Sequence, residues 1–381
     1  MSDQSHRVAL FSTSFLPYSQ TFIHEELKAH ERYDVDVFCK ERLNEERFPY
    51  DSYYKPKGKF SEFIYENTAY WPSFDRRIAN TNYDLIHAHF GTGAVYALPY
   101  KLRHDLPLVV TFHGHDVAAL MGMGKYKPKY WRYILYSKKI LEEADLMLAV
   151  SNEMAEILAE ISGRPEAIEV LHLGVNLNTF DPIDYEKRPE NEQCQITMIG
   201  RFTEKKGHIY ALKAFKKVIA ETNGAAHLNF VGEGGLLEKC RNYVTEHNLD
   251  SNVTFHGILE TSGISNILKK SDFLIAPSIV AKDHDREGTP IVLKEANATA
   301  IPAIGTYHGG IPEVIDDGKT GFLVPERNTG VLADRMIDLI EHPQKRKEFG
   351  IAAREKIEKD YNIKTQVKKL ESRYDRLANN K

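Results

Sequence analysis

The stretch Cys194–Thr222, CQITMIGRFTEKKGHIYALKAFKKVIAET, passes from a short apolar run, through a turn, into a longer amphipathic segment. CQITMIGR reads as a strand and KKGHIYALKAFKKVIAET as a helix. The same alternation extends in both directions. Before it lie the candidate strands RVALFST, YDVDVFCK, YDLIHAHF, LPLVVTFHG, ADLMLAVS and IEVLHLG; after it come AHLNFVGEG, NVTFHGI, DFLIAPS, IPAIGT and GFLVP. Segments such as SQTFIHEELKAH and GLLEKCRNYVTEHN have helical character and separate them. Strands alternating with helices make βαβ units and parallel sheets, an α/β architecture. The number of strands predicts two similar sheets.

A polar stretch without periodicity, Asn178–Gln193, holds two prolines and suits an interdomain linker. We therefore expect an N-terminal domain over 1–183 and a C-terminal domain over 184–361. NIKTQVKKLESRYDRLANN reads as a charged amphipathic helix, and residues 362–381 are expected to pack back on the first domain.

A chain of 381 residues is long for one core and comfortable for two. The net charge of −4 gives no field that favours nucleic acid, so no nucleic-acid partner is expected. Cys39, Cys194 and Cys240 are far apart and show no CxxC spacing, as for reduced packing residues. The N-terminus has no long apolar core of a signal peptide, and no apolar run is long enough to span a bilayer. The expected location is cytoplasmic, with any membrane contact peripheral and at the inner face.

Ligands of open α/β sheets bind beyond the carboxyl ends of the strands. GRFTEKKG, at such an end, holds Gly200, Arg201, Lys205, Lys206 and Gly207. Free backbone N–H groups, the helix dipole and two charged donors there suit a diphosphate. In HDREGTPIVLKEANATAIP, His284–Pro302, Thr289 reads as a helix cap, Pro290 as the first helical residue and Pro302 as the close. Glu295 then shares a stripe with Ile291 and Val292, and Glu287 stands at the helix mouth. A carboxylate on an apolar stripe needs a partner. That partner is a ligand hydroxyl, a neighbouring Arg or Lys, or solvent.

VGEGG lacks the third glycine and the acidic residue of a dinucleotide fingerprint. DGKTG imitates the end of a P-loop, but Glu313 stands where its first glycine belongs and a strand follows, so we reject it. HAHFG and TFHGHD gather His87, His89, His113, His115 and Asp116, which read as a metal cluster, as polar pocket lining or as satisfied core histidines at strand ends. Asp283–Asp285 is a DxD pair in a loop, and a polar loop is the plainer account. MGMGKYKPKYWRYILYSKK carries six basic residues, five aromatics and no acid. It reads as a helix with inward aromatics or, over 125–139, as a peripheral membrane contact.

Taken in order, GR-x4-KG (Gly200–Gly207), VGEGG, E-G-x-P-x4-E-A (Glu287–Ala296) and HGGIPEVIDDGKTGFLVP resemble the family 4 retaining glycosyltransferases. The resemblance covers nearly the whole chain and is strongest from Asn191 to Asn328. SFLPYSQTFIHEEL and KDHDREGTPIVLKEANATAIP are similar to members that build exopolysaccharide or colanic-acid-type chains. The resemblance implies the GT-B fold, two Rossmann-like domains facing an interdomain cleft. It also implies transfer of a sugar, with retention, from a UDP- or GDP-sugar to a hydroxyl of a glycan or lipid-linked acceptor.

By the same resemblance, Glu295 would bond the ribose hydroxyls and Glu287 the donor sugar, while Arg201 and Lys206 would bind the diphosphate. Gly288, Thr289, Pro290 and Ile291 would lie at the phosphates, and His113 over the donor sugar near the reacting carbon. No metal or other cofactor is implied, since Arg, Lys and the helix dipole neutralise the leaving group. On the acceptor side the candidates are Ser19, Gln20, Thr21, His89, His115 and Asp116. Here the chain departs from the pattern: where many members carry Gly-Gly it has LPYSQTF, whose polar side chains and capped helix would replace bare backbone. Three readings remain beside the transferase: a nucleotide-sugar epimerase on the same architecture, a non-catalytic nucleotide-sugar-binding protein and, more remotely, an NAD-dependent oxidoreductase.

Overall fold

The computed structural model describes residues 6–18, 20–122, 127–188 and 192–379, with Lys129 described by its backbone alone. The chain forms two compact units, one of Met1–Gly174 with Ile363–Lys381, the other of Val175–Asn362. Among the described residues no helix is long and apolar enough to cross a membrane.

The first unit carries β1 (His6–Phe15), β2 (Tyr33–Arg42), β3 (Tyr53–Tyr54), β4 (Leu85–His89), β5 (Leu108–Phe112), β6 (Leu146–Ala149) and β7 (Ile168–Val170). They form one parallel sheet in the order β3-β2-β1-β4-β5-β6-β7. The second unit repeats the plan with β8 (Cys194–Ile199), β9 (Ala226–Val231), β10 (Val253–Phe255), β11 (Phe273–Ala276), β12 (Ala303–Thr306) and β13 (Gly321–Val324). Its parallel order is β10-β9-β8-β11-β12-β13. Central strands such as Leu108–Phe112 are buried along their whole length, as parallel strands between crossover helices must be. Both units are therefore Rossmann-like, and in both the strand order reverses beside the first strand, between β1 and β4 and between β8 and β11. The strand absent from the sequence reading is β3, two residues that pair with Val37 and Phe38 at a sheet edge.

The start of the polar stretch is not a free linker. Phe180 is buried in a cluster with Leu293, Ala296 and Ile357. Ile183 N donates to Thr299 O at 3.1 Å, and Tyr185 Oη donates to Ala300 O at 2.7 Å. Spaced anchors thus strap this segment to the second unit, and the units divide at Gly174, before Asn178.

Helix Ile363–Ala378 belongs to the first unit. Leu370 and Tyr374 enter the core of Val8, Leu10 and Leu85, and Tyr374 Oη lies 2.6 Å from His87 Nδ1. Glu371 Oε1 accepts from Glu31 N at 2.9 Å and Arg32 N at 3.0 Å, and lies 3.1 Å from His30 Nδ1. Burial alone would raise the Glu371 carboxyl, but His30 and the two backbone donors hold it down at about 2.

Candidate functional site

In the second unit the reversal point brings together the turns after β8 and β11. The turn after β8 is held by the VGEGG turn after β9: Gly200 N donates to Val231 O at 2.9 Å and Phe202 N to Glu233 O at 2.8 Å. Gly232 has φ +129°, and a Cβ there would stand 2.2 Å from Gly200 O. VGEGG is thus a spacer that lets two backbones touch. Gly207, at φ +78°, makes a similar approach, since its Cβ would stand 1.9 Å from Pro277 O.

This seat fixes Lys205 and Lys206. Lys205 is buried; its Nζ donates to Asp285 Oδ1 at 3.1 Å and to Arg286 O at 3.2 Å. Burial would lower its pKa, but Glu287 and Asp285 outweigh that and raise it. Lys206 Nζ lies 3.0 Å from Glu287 Oε1, and Glu287 is 7% exposed. Burial would raise this carboxyl as well, yet Lys206 and Lys205 pull it down to about 2, so it is an anion. Asp285 is thereby engaged by Lys205, and Asp283 Oδ1 accepts from Asp285 N at 3.2 Å, which makes the DxD pair part of a folded loop. Arg201 is exposed at the rim of the same turn.

The helix after this loop runs Ile291–Ala298. Pro290 stands just outside it, at φ −63° and ψ 117°, and no side chain caps it, so the expected Thr289 cap and first-turn Pro290 are corrected by one position. Leu293, Lys294, Glu295, Ala296 and Asn297 are all buried, while Ile291 and Val292 are half-buried. Glu295, 7% exposed, therefore lies inside a helix covered on most sides. Its neighbour Lys294 is fully buried with Nζ 4.7 Å above the Tyr361 ring, and burial lowers its pKa to about 7.

In the first unit the histidines lie just beyond β4 and β5. His89 Nε2 is 3.0 Å from Glu26 Oε1, and His89 Nδ1 is 3.1 Å from His113 Nε2. With its Nε2–H donating to Glu26, the His89 ring would accept from His113 Nε2–H. Burial keeps the His113 imidazole well below the usual histidine range, and His89 and His115 add to this. Asp116 is fully buried and its carboxylate accepts from the backbone of Gly91, His113, Gly114 and Val117. It is the clamp of the His113 loop, not an open acceptor-side group. His115 is half-buried, its ring 4.8 Å from that of Phe90.

Glu26, His87 and His89 offer ligand atoms within 4.8 Å of one another. All four ring nitrogens already have protein partners: Tyr374 and Thr111 for His87, Glu26 and His113 for His89. Gln20 precedes helix Thr21–Ala29 without a side-chain capping bond, which corrects the expected capped start, and Ser19 lies outside the described residues. Of the basic–aromatic segment, Lys125 and Tyr126 also lie outside them. Tyr130 and Tyr133 pack inward, whereas Trp131, Leu135 and Tyr136 are exposed.

The structure thus brings Lys206 to Glu287, and His89 to His113. It adds Lys205, His308, Glu326 and Glu26, which the sequence reading assigned no role. Glu287 N donates to His308 Nε2 at 3.0 Å, and His308 Nδ1 is 2.7 Å from Glu326 Oε1.

Residues 22–179 match Glycosyltransferase Family 4 and residues 181–356 match Glycosyl transferases group 1. WcaL of Salmonella typhimurium, a glycosyltransferase named for colanic acid biosynthesis, is 31% identical over 284 residues, 73% of this chain and 67% of its own. The amylovoran biosynthesis glycosyltransferase AmsK of Erwinia amylovora is 28% identical over 77% of this chain and 70% of its own. Among solved structures, sucrose-phosphate synthase from Thermosynechococcus elongatus shares the fold with a TM-score of 0.80 at 19% identity, over 99% of this chain and 100% of that one. HepE of Anabaena, solved with UDP, gives 0.74 at 16% identity, over 96% and 98%. Two parallel-sheet units, the motifs at their reversal points and these matches lead to one assignment: the chain belongs to the family 4 glycosyltransferases of GT-B fold.

Proposed function

We propose that the chain transfers a sugar, with retention and without a metal, from a UDP- or GDP-sugar to a hydroxyl of a glycan or lipid-linked acceptor in cell-surface polysaccharide synthesis. The observation that carries this reading is the pairing of half-buried Lys206 with buried Glu287 at the reversal point of the second unit. Support for a nucleotide donor comes from HepE, solved with UDP, and for polysaccharide synthesis from the names of WcaL and AmsK.

In this reading Glu295 bonds the ribose, and Gly288, Thr289, Pro290 and Ile291 face the phosphates. Glu287 takes the hydroxyls of the donor sugar, and Arg201 and Lys206 meet the diphosphate. His113 touches the donor sugar, with Gln20, Thr21 and His115 on the acceptor side. The acceptor oxygen attacks the anomeric carbon from the face the diphosphate leaves. Its proton passes to the departing diphosphate oxygen, so the charge that develops sits on that diphosphate. Arg201 and Lys206 then act more strongly in the transition state than in the ground state. The exposed Trp131, Leu135 and Tyr136, beside Lys138 and Lys139, are the proposed contact with a lipid surface at the inner face of the membrane.

Thermal unfolding with UDP, GDP, ADP and NAD, each alone and without metal, tests the donor site. A ligand at a hundred times its Kd adds about 2.7 kcal/mol, which is a visible shift. A shift with UDP or GDP supports the reading; a shift with NAD alone, or with none, overturns it.

A further inference from the structure

The loop that ends in Glu287 is held from behind by a second acid. Glu287 N can only donate, so the His308 Nε2 that it meets at 3.0 Å must be the accepting nitrogen. The neutral ring then carries its proton on Nδ1 and donates it to Glu326 Oε1 at 2.7 Å. Glu326 is anchored in turn, its Oε2 accepting from Val280 N at 3.1 Å and pairing with Arg327 Nη1 at 3.0 Å. The His308 loop grips once more, through Gly310 N, which donates to Gly288 O at 2.7 Å. His308 is 4% exposed, so water does not readily replace these bonds.

We propose that His308 and Glu326 are positioning residues for the donor-sugar contact: Glu326 sets the tautomer of His308, and that tautomer holds the backbone of Glu287. This rests on the reading of Glu287 as the sugar-binding carboxylate. The strut joins the turn after β12, which carries His308, to the end of β13, which leads into Glu326, and both to the loop after β11. It works only while His308 is neutral. A second proton would put an N–H against the Glu287 N–H and break the bond. The charges around the ring are Glu326, with Arg327 behind it, and Glu287, with Lys205 and Lys206 behind it.

The variants H308A, H308Q and E326A separate a strut from general packing. A glutamine Oε1 reaches about where Nε2 stands and accepts without titrating. Two measurements are needed on the full chain. The first is amide exchange at Glu287, which needs no ligand. The second is the Kd for UDP, GDP, UDP-glucose and GDP-mannose. H308A is expected to expose the Glu287 amide and to weaken the bound nucleotide sugar by about tenfold, while the bare nucleotide keeps its affinity. H308Q is expected to restore both. E326A should lose less than H308A, because the ring still accepts in one of its two tautomers. A Glu287 amide that stays protected in H308A overturns the strut, as does an H308Q as weak as H308A. If Glu287→Gln leaves nucleotide-sugar affinity unchanged, or the wild type binds none of the four probes, the reading of Glu287 fails and the proposal with it. In that case the exchange result alone would still show whether the strut holds the loop.

Discussion

Lys206 Nζ stands 3.0 Å from Glu287 Oε1, although a whole βαβαβ run of chain separates the two residues. An anion at that place is stable only because two lysines face it. The pH dependence follows from the sign of the shift. The folded Glu287 carboxyl is depressed to about 2, so its stabilising share is full above the unfolded value of about 4.3 and is lost as pH falls toward 2. On the order of 3 kcal/mol should disappear over that window. Glu287→Gln should flatten this part of a stability-against-pH curve, measured by urea unfolding. An unchanged acid limb would show that the lysines do not set the carboxyl.

Arg201 is exposed and tied to little, so its removal should leave the fold intact. Its proposed partner is charge that grows as the diphosphate leaves. Arg201→Ala should therefore lower kcat by about 10²–10³-fold, with the melting temperature kept. A kcat within experimental error of wild type would remove Arg201 from the transition state.

Glu295 lies in a helix covered on most sides. Glu295→Ala should weaken binding of UDP or GDP by about tenfold or more, as loss of a charged hydrogen bond does. Calorimetric titration decides the matter. Equal affinity for wild type and variant would make Glu295 a packing residue of the second unit.

Lys294 presents the opposite sign. Its folded pKa is lowered to about 7 by burial, against about 10.4 in the unfolded chain. The unfolded state therefore holds more protons between those values, and stability rises with pH across that window; below it the full burden of a buried ammonium remains. Lys294→Met should remove this rise, measured by urea unfolding between about pH 7 and 10. A rise that persists in the variant would show that Lys294, between the Tyr361 ring and the charge of Glu313, does not set it.

Gly207 cannot carry a side chain without moving the backbone at Pro277. Gly207→Ala should cost about 2 kcal/mol or more and disturb Lys206 with it. A variant with wild-type stability and activity would show that the two turns shift apart freely.

The sheets were readable because a buried parallel strand is a short apolar run between helices, a local property. Tyr53–Tyr54 was not readable, since two residues make no period and pair only because Val37 and Phe38 lie beside them. Lys206 and Glu287 were legible through their motifs, whereas His308, Glu326 and Lys205 act through bonds between turns that follow different strands. Spacing carries no trace of such bonds. Asp116 misled for a related reason: a buried carboxylate that collects backbone donors looks, in sequence, like one held open for a ligand. Phe180 and Ile183 show the same limit, because scattered anchors in a polar stretch have no pattern until the surface they fit is known.

Helix Ile363–Ala378 also bears on the order of events during synthesis. Residues up to Gly174 leave the ribosome first, yet their core lacks Leu370 and Tyr374 until the whole of the second unit has emerged. The second unit is contiguous and has all its parts in hand earlier. Nascent chains stopped at Asn362 should thus resist protease over 175–362 and be cut within 1–174, as expected when domains fold as their pieces become available. Of the two units, the one made first would be completed second.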